Sequence, residues 1–428
     1  MQTDAPPCDR ENFLQIERQD PTIAAVHLAA ACLWLSTFSI ARSAEGLTFM
    51  ILIVVAVLRL PRTRRLYGQI MRTVPFIAFL AFSLWQSLSV LWSEAPKLGI
   101  NDIAARQVFA CLALWPLMAR WRVLLGAFIA GALAFSVLVI TLRLWSTEFT
   151  KYINEAIVQK DIGPSGLTFA VALAALTGQW RSSMARAWFA FLPAAVLLIC
   201  GIVTLGQRMP FLAGTGSALL SVVAPIHPRR INKAFIWRIV AVIVATAIAG
   251  TIVFVTTGNH RRWIPSVISY VTDETTDISP EDAAELTSHR GPLAKMAIAI
   301  WKDHPLIGSG ASGFGIENKS RIIADPNLYG GSTRLRTFFS NRNSSHNALL
   351  DEASQRGIIG AALFLTVLIS CGWWAWRVDP SNATLGMLAV WIALSLTTPA
   401  TARGIPLLIL ALIVTRCSFI AINRRWLP

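Results

Sequence analysis

Residues 122–143 read RVLLGAFIAGALAFSVLVITLR, with no charge between the two arginines that bound the stretch. An α-helix of this length is about 30 Å long, which matches the hydrocarbon core of a bilayer. The whole chain is 54% hydrophobic and only 14% charged, whereas soluble domains carry about 25% charged residues. The sequence therefore indicates an all-α polytopic membrane protein.

Segments of similar composition recur along the chain and predict about twelve transmembrane helices. A long polar stretch separates the ninth predicted span from the tenth. The predicted spans are 22–41, 46–60, 74–93, 101–119, 122–143, 162–179, 187–205, 210–226, 236–256, 357–376, 383–399 and 403–422.

The distribution of arginine predicts the orientation of these spans. Counted from a cytoplasmic N-terminus, the arginine-rich connections, such as 62–65 and 229–230, all fall on the cytoplasmic side, in agreement with the positive-inside rule. An even number of spans then places both termini in the cytoplasm and the long polar stretch in the periplasm. Because the net charge of +15 lies mostly in these short connections, it does not indicate binding of nucleic acid.

The predicted spans divide the chain into five parts. No cleavable signal peptide precedes the first span, since the N-terminus has no short apolar core followed by small residues. The parts are a cytoplasmic tail (1–21), transmembrane helices 1–9 (22–256), a periplasmic loop expected to hold the catalytic residues (257–345), the start of a periplasmic helix with transmembrane helices 10–12 (346–422), and a second cytoplasmic tail (423–428).

Helices and turns are predicted inside the periplasmic loop. Ser279-Pro280-Glu281-Asp282 has the cap, the first-turn proline and the acidic residues of a helix start. A second helix is expected from Pro292 to Lys302, and a third from about His346 into the tenth span. Between them, four glycines predict a flexible, tightly turning segment: Gly308, Gly310, Gly313 and Gly315.

Two arginines outside the predicted spans are candidates for binding an anion. Arg208 lies in a short periplasmic turn, Gly206-Gln207-Arg208-Met209-Pro210, where arginine is disfavoured unless it has a function. Arg290 precedes a predicted helix, whose free amides and dipole add to its charge. The planar guanidinium also matches phosphate oxygens. The alternatives are that Arg208 reaches lipid headgroups and that Arg290 pairs with the acidic run before it.

His346 is the candidate general base. It follows Ser344 and Ser345, either of which can cap the helix that His346 begins. Because a helix N-terminus disfavours imidazolium, we expect this histidine to stay neutral at about pH 7 and to accept a proton. His289 is a rival for the role, whereas His304, which precedes a proline at a helix end, has a structural character. A histidine that only donates to a nearby carbonyl group is the remaining alternative.

A metal site is not predicted. His289, His304 and His346 lack the short spacing of metal ligands, the acidic run has no EF-hand pattern, and the loop contains no cysteine. We therefore expect no cofactor.

In their order along the chain, several short motifs resemble the bacterial O-antigen ligase and O-antigen polymerase superfamily. The resemblance also extends to the architecture of about twelve spans with a late periplasmic loop. The motifs are Gln207-Arg208 after a span, Arg290 followed by a helix that ends in Trp301-Lys302-Asp303-His304-Pro305-Leu306-Ile307-Gly308-Ser309-Gly310, His346-Asn347 followed by Gly357 and Gly360, and Trp92-Ser93-Glu94-Ala95-Pro96.

The resemblance implies a metal-independent glycosyltransferase of the bacterial inner membrane, with its active site in the periplasm. The donor would be a glycan on undecaprenyl diphosphate, and the acceptor either lipid A–core or another lipid-linked glycan. Arg208 and Arg290 would hold the diphosphate, and His346 would act on the acceptor hydroxyl. Asn347 and a further loop arginine, for which we take Arg321, are also assigned to substrate binding. Three other arginines remain open for that last role: Arg334, Arg336 and Arg342.

The leading prediction is an O-antigen ligase that transfers its glycan with inversion, and the closest alternative is a polysaccharide polymerase that uses the same donor. A transporter or flippase would need charged side chains in mid-span, and Arg106, Arg143 and Arg403 lie near span ends instead. A purely structural or sensing protein leaves the periplasmic arginines unexplained.

Overall fold

The computed structural model describes residues 10–37, 42–99, 105–144, 160–182, 188–204, 210, 213–216, 244, 290–378, 383–396 and 404–423. The regular secondary structure of these residues is helical, without a strand. The α-helices are α1 Arg10–Gln19, α2 Pro21–Thr37, α3 Arg42–Ile70, α4 Val74–Leu88, α5 Pro96–Gly99, α6 Ala105–Leu114, α7 Trp121–Leu144, α8 Lys160–Ser182, α9 Trp188–Thr204, α10 Arg290–Asp303, α11 Gly313–Ala324, α12 Thr333–Ser340, α13 Ala348–Val378, α14 Ala383–Ser395 and α15 Gly404–Ile422.

Within the described residues, three helical stretches are long and apolar enough to cross a membrane: Glu45–Ile70, Arg106–Thr141 and Ala348–Arg377. In the second of these, a 3₁₀ segment, Trp115–Arg120, joins α6 to α7. Shorter apolar helices accompany them, so the membrane-protein class predicted from composition is supported.

Ten of the twelve predicted spans coincide with helices of the described residues. The second span was predicted too short, because α3 continues through Pro61 and the basic residues after it as far as Ile70. The predicted spans 210–226 and 236–256 lie almost entirely outside the described residues. The count of twelve therefore stays a prediction.

At each end of the bundle, ion pairs join residues that the predicted orientation places on the same side of the membrane. Arg62 pairs with Asp20 and Arg120 with Glu17, and all four belong to the predicted cytoplasmic side. At the predicted periplasmic side, Arg106 pairs with a residue in the first turn of α3, Glu45. Arg62 is about 26 Å further along α3, so the two sets lie at opposite ends of this helix. Which end faces the cytoplasm remains a prediction.

Aromatic side chains of α4, α13 and α14 pack together in the membrane core, and one of them is hydrogen-bonded to the backbone of α15. Phe364 of α13 packs against Phe82 of α4 and Trp391 of α14, with ring centroids 5.6 and 5.8 Å apart. The indole Nε1 of Trp391 donates a 2.7 Å hydrogen bond to the carbonyl oxygen of Pro406. These contacts fix α13, which carries the residues after His346, against three other helices.

The described part of the long polar loop between the ninth and tenth predicted spans has a small hydrophobic core of its own. Three short helices, α10, α11 and α12, pack together and cover one another's apolar faces, so the predicted helix at 292–302 is confirmed and begins slightly earlier, at Arg290. The buried residues of this loop core are Leu293, Met296, Ala297, Ile300, Phe314, Ile322, Leu335 and Phe339.

Candidate active site

Arg290 lies in the first turn of α10 and is half-buried. Burial lowers the pKa of its guanidinium from the ordinary value, although an arginine stays charged throughout the physiological range. A partly desolvated guanidinium at a helix N-terminus combines its own charge with the positive end of the helix dipole. The location therefore suits an anionic group, as the sequence predicts.

The loop core places Arg290 and His346 around one hydrophobic cluster. Leu293, one turn after Arg290, is a buried member of that core, and Leu350, four residues after His346, packs against it. The two candidate residues thus flank the same small core although they are far apart in the sequence.

His346 occupies a strained turn rather than the first turn of a helix. Its backbone φ is 60°, in the left-handed region that non-glycine residues rarely adopt. The expected cap was also wrong, since Asn347 Oδ1 accepts hydrogen bonds from the amides of Leu349 and Leu350 at 3.0 and 3.1 Å. Ser345 Oγ accepts one from Asn347 N at 3.2 Å instead. Strain of this kind clusters at functional sites.

Asn347, assigned to substrate binding from the sequence, has a structural role in this turn. Besides capping α13, its side-chain Nδ2 donates a 3.3 Å hydrogen bond to the carbonyl oxygen of Leu396, at the end of α14. Asn347 therefore connects the turn that carries His346 with a second helix of the bundle.

A buried carboxylate that the sequence analysis missed closes the same turn. Asp351 is fully buried, and its Oδ1 accepts a 2.6 Å hydrogen bond from the amide of Ser345. The amide of Asp351 in turn donates a 2.8 Å hydrogen bond to the carbonyl oxygen of Asn347. The only signal in the sequence was a pair of acidic residues five and six positions after His346, where a span was about to begin.

Next to Asp351, a buried polar cluster joins α13 to α4. Glu352 Oε1 accepts hydrogen bonds from Arg356 Nη1 at 2.8 Å and from Gln86 Nε2 at 3.2 Å. Glu352 and Gln86 are fully buried, and Arg356 is 1% exposed. An unpaired charge at such a position destabilises the fold. The loss of any one of these three side chains should therefore lower the stability of the protein.

The turn after α10 is joined to α13 through its backbone. Gly357 has φ 67° and ψ −169° and interrupts the helical conformation within α13, which leaves backbone groups of this helix without their usual partners. The hydrogen bonds that replace the helical ones run from Ile358 N to Pro305 O (2.9 Å), from Ser309 N to Ser354 O (3.0 Å) and from Gly310 N to Gln355 O (2.8 Å).

We call this junction the glycine seam, after Gly308, Gly310 and Gly357, all of which have positive φ. A Cβ atom on Gly308 would collide with the backbone of Gln355, and one on Gly357 with the backbone of Leu306. The prediction of a flexible glycine segment was wrong in two respects. The seam is held by hydrogen bonds, and the other two glycines of that segment lie in α11.

Among the loop arginines, Arg321 and Arg336 are engaged within the loop. Arg321 pairs with Asp303, and its Nε is 3.5 Å from Glu317 Oε2. Arg336 Nη2 donates a 2.7 Å hydrogen bond to the carbonyl oxygen of Ile322. Both side chains connect one helix of the loop to another, so these contacts explain why arginine stands at the two positions.

The other two loop arginines line a cavity of about 640 Å³ along α12, which we call the arginine cavity. Arg334 and Arg342 border it together with Phe338 and Asn341, and the Arg342 guanidinium lies 4.1 Å from the centre of the Phe338 ring. Arg342 is four residues before His346, so their Cα atoms are at most about 14 Å apart. Arg334 and Arg342, which the sequence left open beside Arg321, are therefore the two of these four candidates that line the cavity.

The remaining candidates have different outcomes. Arg208, the rival base His289 and the predicted helix at 279–282 lie outside the described residues. His304 is exposed, with Nε2 3.4 Å from Glu317 Oε1, in keeping with the structural character predicted for it.

Residues 193–365 of the chain match the model of the family described as O-antigen ligase. The match includes α10, the loop core, the turn that carries His346 and the glycine seam. No curated protein matches the chain significantly. The resemblance inferred from the sequence motifs is thereby confirmed, in that residues 193–365 are similar to the O-antigen ligase family.

Proposed function

We propose that this protein is an O-antigen ligase, which transfers a glycan from undecaprenyl diphosphate to a sugar of lipid A–core at the periplasmic face of the inner membrane. One observation carries the proposal. In a domain of this family, a histidine occupies a strained turn fixed by a buried carboxylate, within reach of a cavity lined by arginines.

The arginines suit the donor that we propose. A lipid diphosphate is the leaving group of the reaction, and its negative charge grows as the glycosidic bond breaks. Preorganised guanidinium groups stabilise that charge in the transition state, a role that a divalent metal plays in other enzymes. Arg290, with its half-buried side chain, and Arg208 are the proposed ligands of the diphosphate, and the arginine cavity supplies two further positive charges.

The proposed reaction is a single displacement at the anomeric carbon of the glycan. The acceptor oxygen forms a new bond to C1 while the bond between C1 and the phosphate oxygen breaks. The hydroxyl proton passes to His346, and undecaprenyl diphosphate leaves with the electron pair. Because no carboxylate of the enzyme forms a bond to C1, the anomeric configuration inverts.

His346 is the proposed general base, and its position in the turn supports this role. The turn Ser345–Asn347 is anchored to α13 by the carboxylate of Asp351 and to α14 by the side chain of Asn347. A base held from both sides keeps its orientation toward an acceptor hydroxyl, and general-base catalysis contributes about 10²–10⁴-fold to a rate.

Deletion of the gene followed by electrophoresis of the lipopolysaccharide tests the proposal. If the protein is a ligase, the deletion strain should make lipid A–core without added glycan and should accumulate undecaprenyl-linked glycan. A core that carries a single repeat unit would instead identify the polymerase, which uses the same donor and differs in its acceptor. An unchanged pattern would reject both activities for lipopolysaccharide.

Variants then test the assigned residues. We expect His346→Ala and Arg290→Ala each to abolish transfer while the protein still inserts into the membrane. Lys295→Ala is the matched control, since Lys295 is an exposed cation of the same helix α10. Normal transfer by the His346→Ala protein would reject the assignment of the base.

A further inference from the structure

A second cavity, of about 380 Å³, lies where the segment after α4 meets the turn after α10. We call it the Trp92 cavity. Its volume falls within the range of about 300–1,000 Å³ that is usual for small-molecule sites. Its lining combines polar and apolar side chains. The polar ones include Glu94, His304 and Glu317, and the apolar ones include Trp92, Pro305 and Leu306.

Hydrogen bonds fix the two walls of this cavity relative to each other. Ser93 Oγ donates to the carbonyl oxygen of Ala311 at 2.6 Å, and the amide of Ala311 donates to the carbonyl oxygen of Ser89 at 3.2 Å. The backbones approach so closely that a Cβ atom on Gly310 would lie 2.6 Å from Ser93 Cα. The cavity is therefore built by the fold, because segments more than two hundred residues apart in the sequence meet there.

We propose that the Trp92 cavity binds an uncharged sugar residue. A pyranose has a ring face of C–H groups and an edge of hydroxyl groups. The apolar side chains of the lining, Trp92 among them, match the face, and the carboxylate of Glu94 accepts hydrogen bonds from hydroxyl groups. Two carboxylates line this cavity, whereas two arginines line the arginine cavity on α12, so the two cavities differ in their chemistry.

Exposed apolar side chains border the cavity. Leu306 and Ile307 on its rim are 66% and 44% exposed, and Ile358, next to them on α13, is 46% exposed. A tryptophan at this level fits the aromatic belt of a membrane interface. A sugar that is attached to a lipid in the outer leaflet can therefore enter the cavity without leaving the bilayer surface.

The cavity also lies close to the proposed base. Its lining residue Ser309 is hydrogen-bonded through its amide to Ser354 of α13, and Ser354 is six residues after the first residue of that helix. This separation corresponds to about 9 Å along the helix axis. A sugar in the cavity is thus within the length of a short oligosaccharide from the turn that carries His346.

The inference rests on the proposed function, because it assigns a sugar site to a glycan-transferring enzyme. It leaves open the source of the sugar, which belongs either to the acceptor or to the donor glycan. Both sugars would be recognised by the same chemistry. They differ in the constant that the cavity controls, which is the KM for the acceptor in one case and the KM for the donor in the other.

The test uses the full-length protein in lipid nanodiscs with a lipid-diphosphate-linked glycan as donor and a glycolipid as acceptor. Glu94→Ala and Leu306→Ala are the test variants, since both side chains are exposed and their loss leaves the fold intact. Each should raise the KM for one substrate by about fivefold to tenfold, the effect of one lost contact, with kcat unchanged. A raised KM for the acceptor identifies the acceptor sugar, and a raised KM for the donor identifies the donor glycan.

The matched control is Asp325→Ala, which removes another exposed carboxylate of the periplasmic loop. Competition by the lipid-free, dephosphorylated oligosaccharide cut from each substrate gives an independent measure of binding. Kinetic constants and competition that match the wild-type protein in both test variants would overturn the sugar site. If the wild-type protein itself transfers no glycan between these lipids, the proposed function fails instead.

Discussion

The amide of Ser345 and the carboxylate of Asp351 are joined by a 2.6 Å hydrogen bond that spans the turn carrying His346. A fully buried acceptor thereby holds a backbone that the left-handed conformation of His346 strains. In the proposed mechanism, Asp351 is a positioning residue, because it acts on the acceptor hydroxyl only through the histidine.

Substitution of Asp351 tests whether this residue positions His346 for catalysis. Asp351→Ala should lower kcat by about 10–100-fold with little change in the KM for the donor, since small displacements of a catalytic group have effects of this size. Asp351→Asn should restore much of kcat, because the amide oxygen still accepts the bond from Ser345. Steady-state transfer assays on purified protein measure both constants, and a wild-type kcat in Asp351→Ala would reject the positioning role.

A side chain introduced at the glycine seam should lower the stability of the protein. Gly308→Ala should destabilise the protein by about 1–3 kcal/mol, because alanine is strained at a φ of 72° and its Cβ meets the backbone of Gln355. Gly126→Ala is the control, since nothing lies within 4 Å of a Cβ at that helical position, and it should be neutral or stabilising. Thermal unfolding in detergent compares the two variants. Equal stability would mean that the seam contributes little.

The buried pair of Glu352 and Arg356 predicts a non-additive result. Glu352→Ala leaves a buried guanidinium without its partner and should cost about 3–5 kcal/mol. The double variant Glu352→Leu with Arg356→Met removes both charges and should be considerably more stable than the single variant. Unfolding by denaturant measures each step. A double variant that is less stable than Glu352→Ala would show that the pair stabilises the fold through more than charge compensation.

The arginine cavity predicts a dependence on ionic strength. Arg334→Ala together with Arg342→Ala should raise the KM for the lipid-diphosphate donor and weaken the dependence of that KM on salt, because ionic attraction at an open surface is screened. Lys319→Ala is the control, as it removes an exposed cation from the neighbouring helix α11. Donor kinetics at low and high salt are the measurement. An unchanged salt dependence would exclude the cavity from donor binding.

Much of the helical architecture follows from the sequence because a bilayer demands long, uncharged helices. The boundaries differ where polar residues remain helical, as in α3, which continues beyond residue 60 to Ile70. Arg290 at a helix start was predictable from the proline that follows it.

The turn that carries His346 was not predictable. Ser344, Ser345 and Asn347 are all good capping residues, and only tertiary contacts select Asn347. Likewise, a pair of acidic residues near the start of a span gives no indication that one of them binds the amide of Ser345. For the same reason, the sequence does not show which loop arginines pair within the loop and which line the arginine cavity. That difference depends on which helices of the loop pack together.

The glycine seam has one more consequence. Residues 311–347 start and end beside α13, because Ser309 and Gly310 are bonded to Ser354 and Gln355 of that helix. Both ends of this segment are therefore held at one place in the bundle. The part of it that forms α11 and α12 can change in length and side chains while the transmembrane helices keep their arrangement. Under the proposed function, exchange of this part between related proteins offers a route by which evolution, or an engineer, selects another polysaccharide.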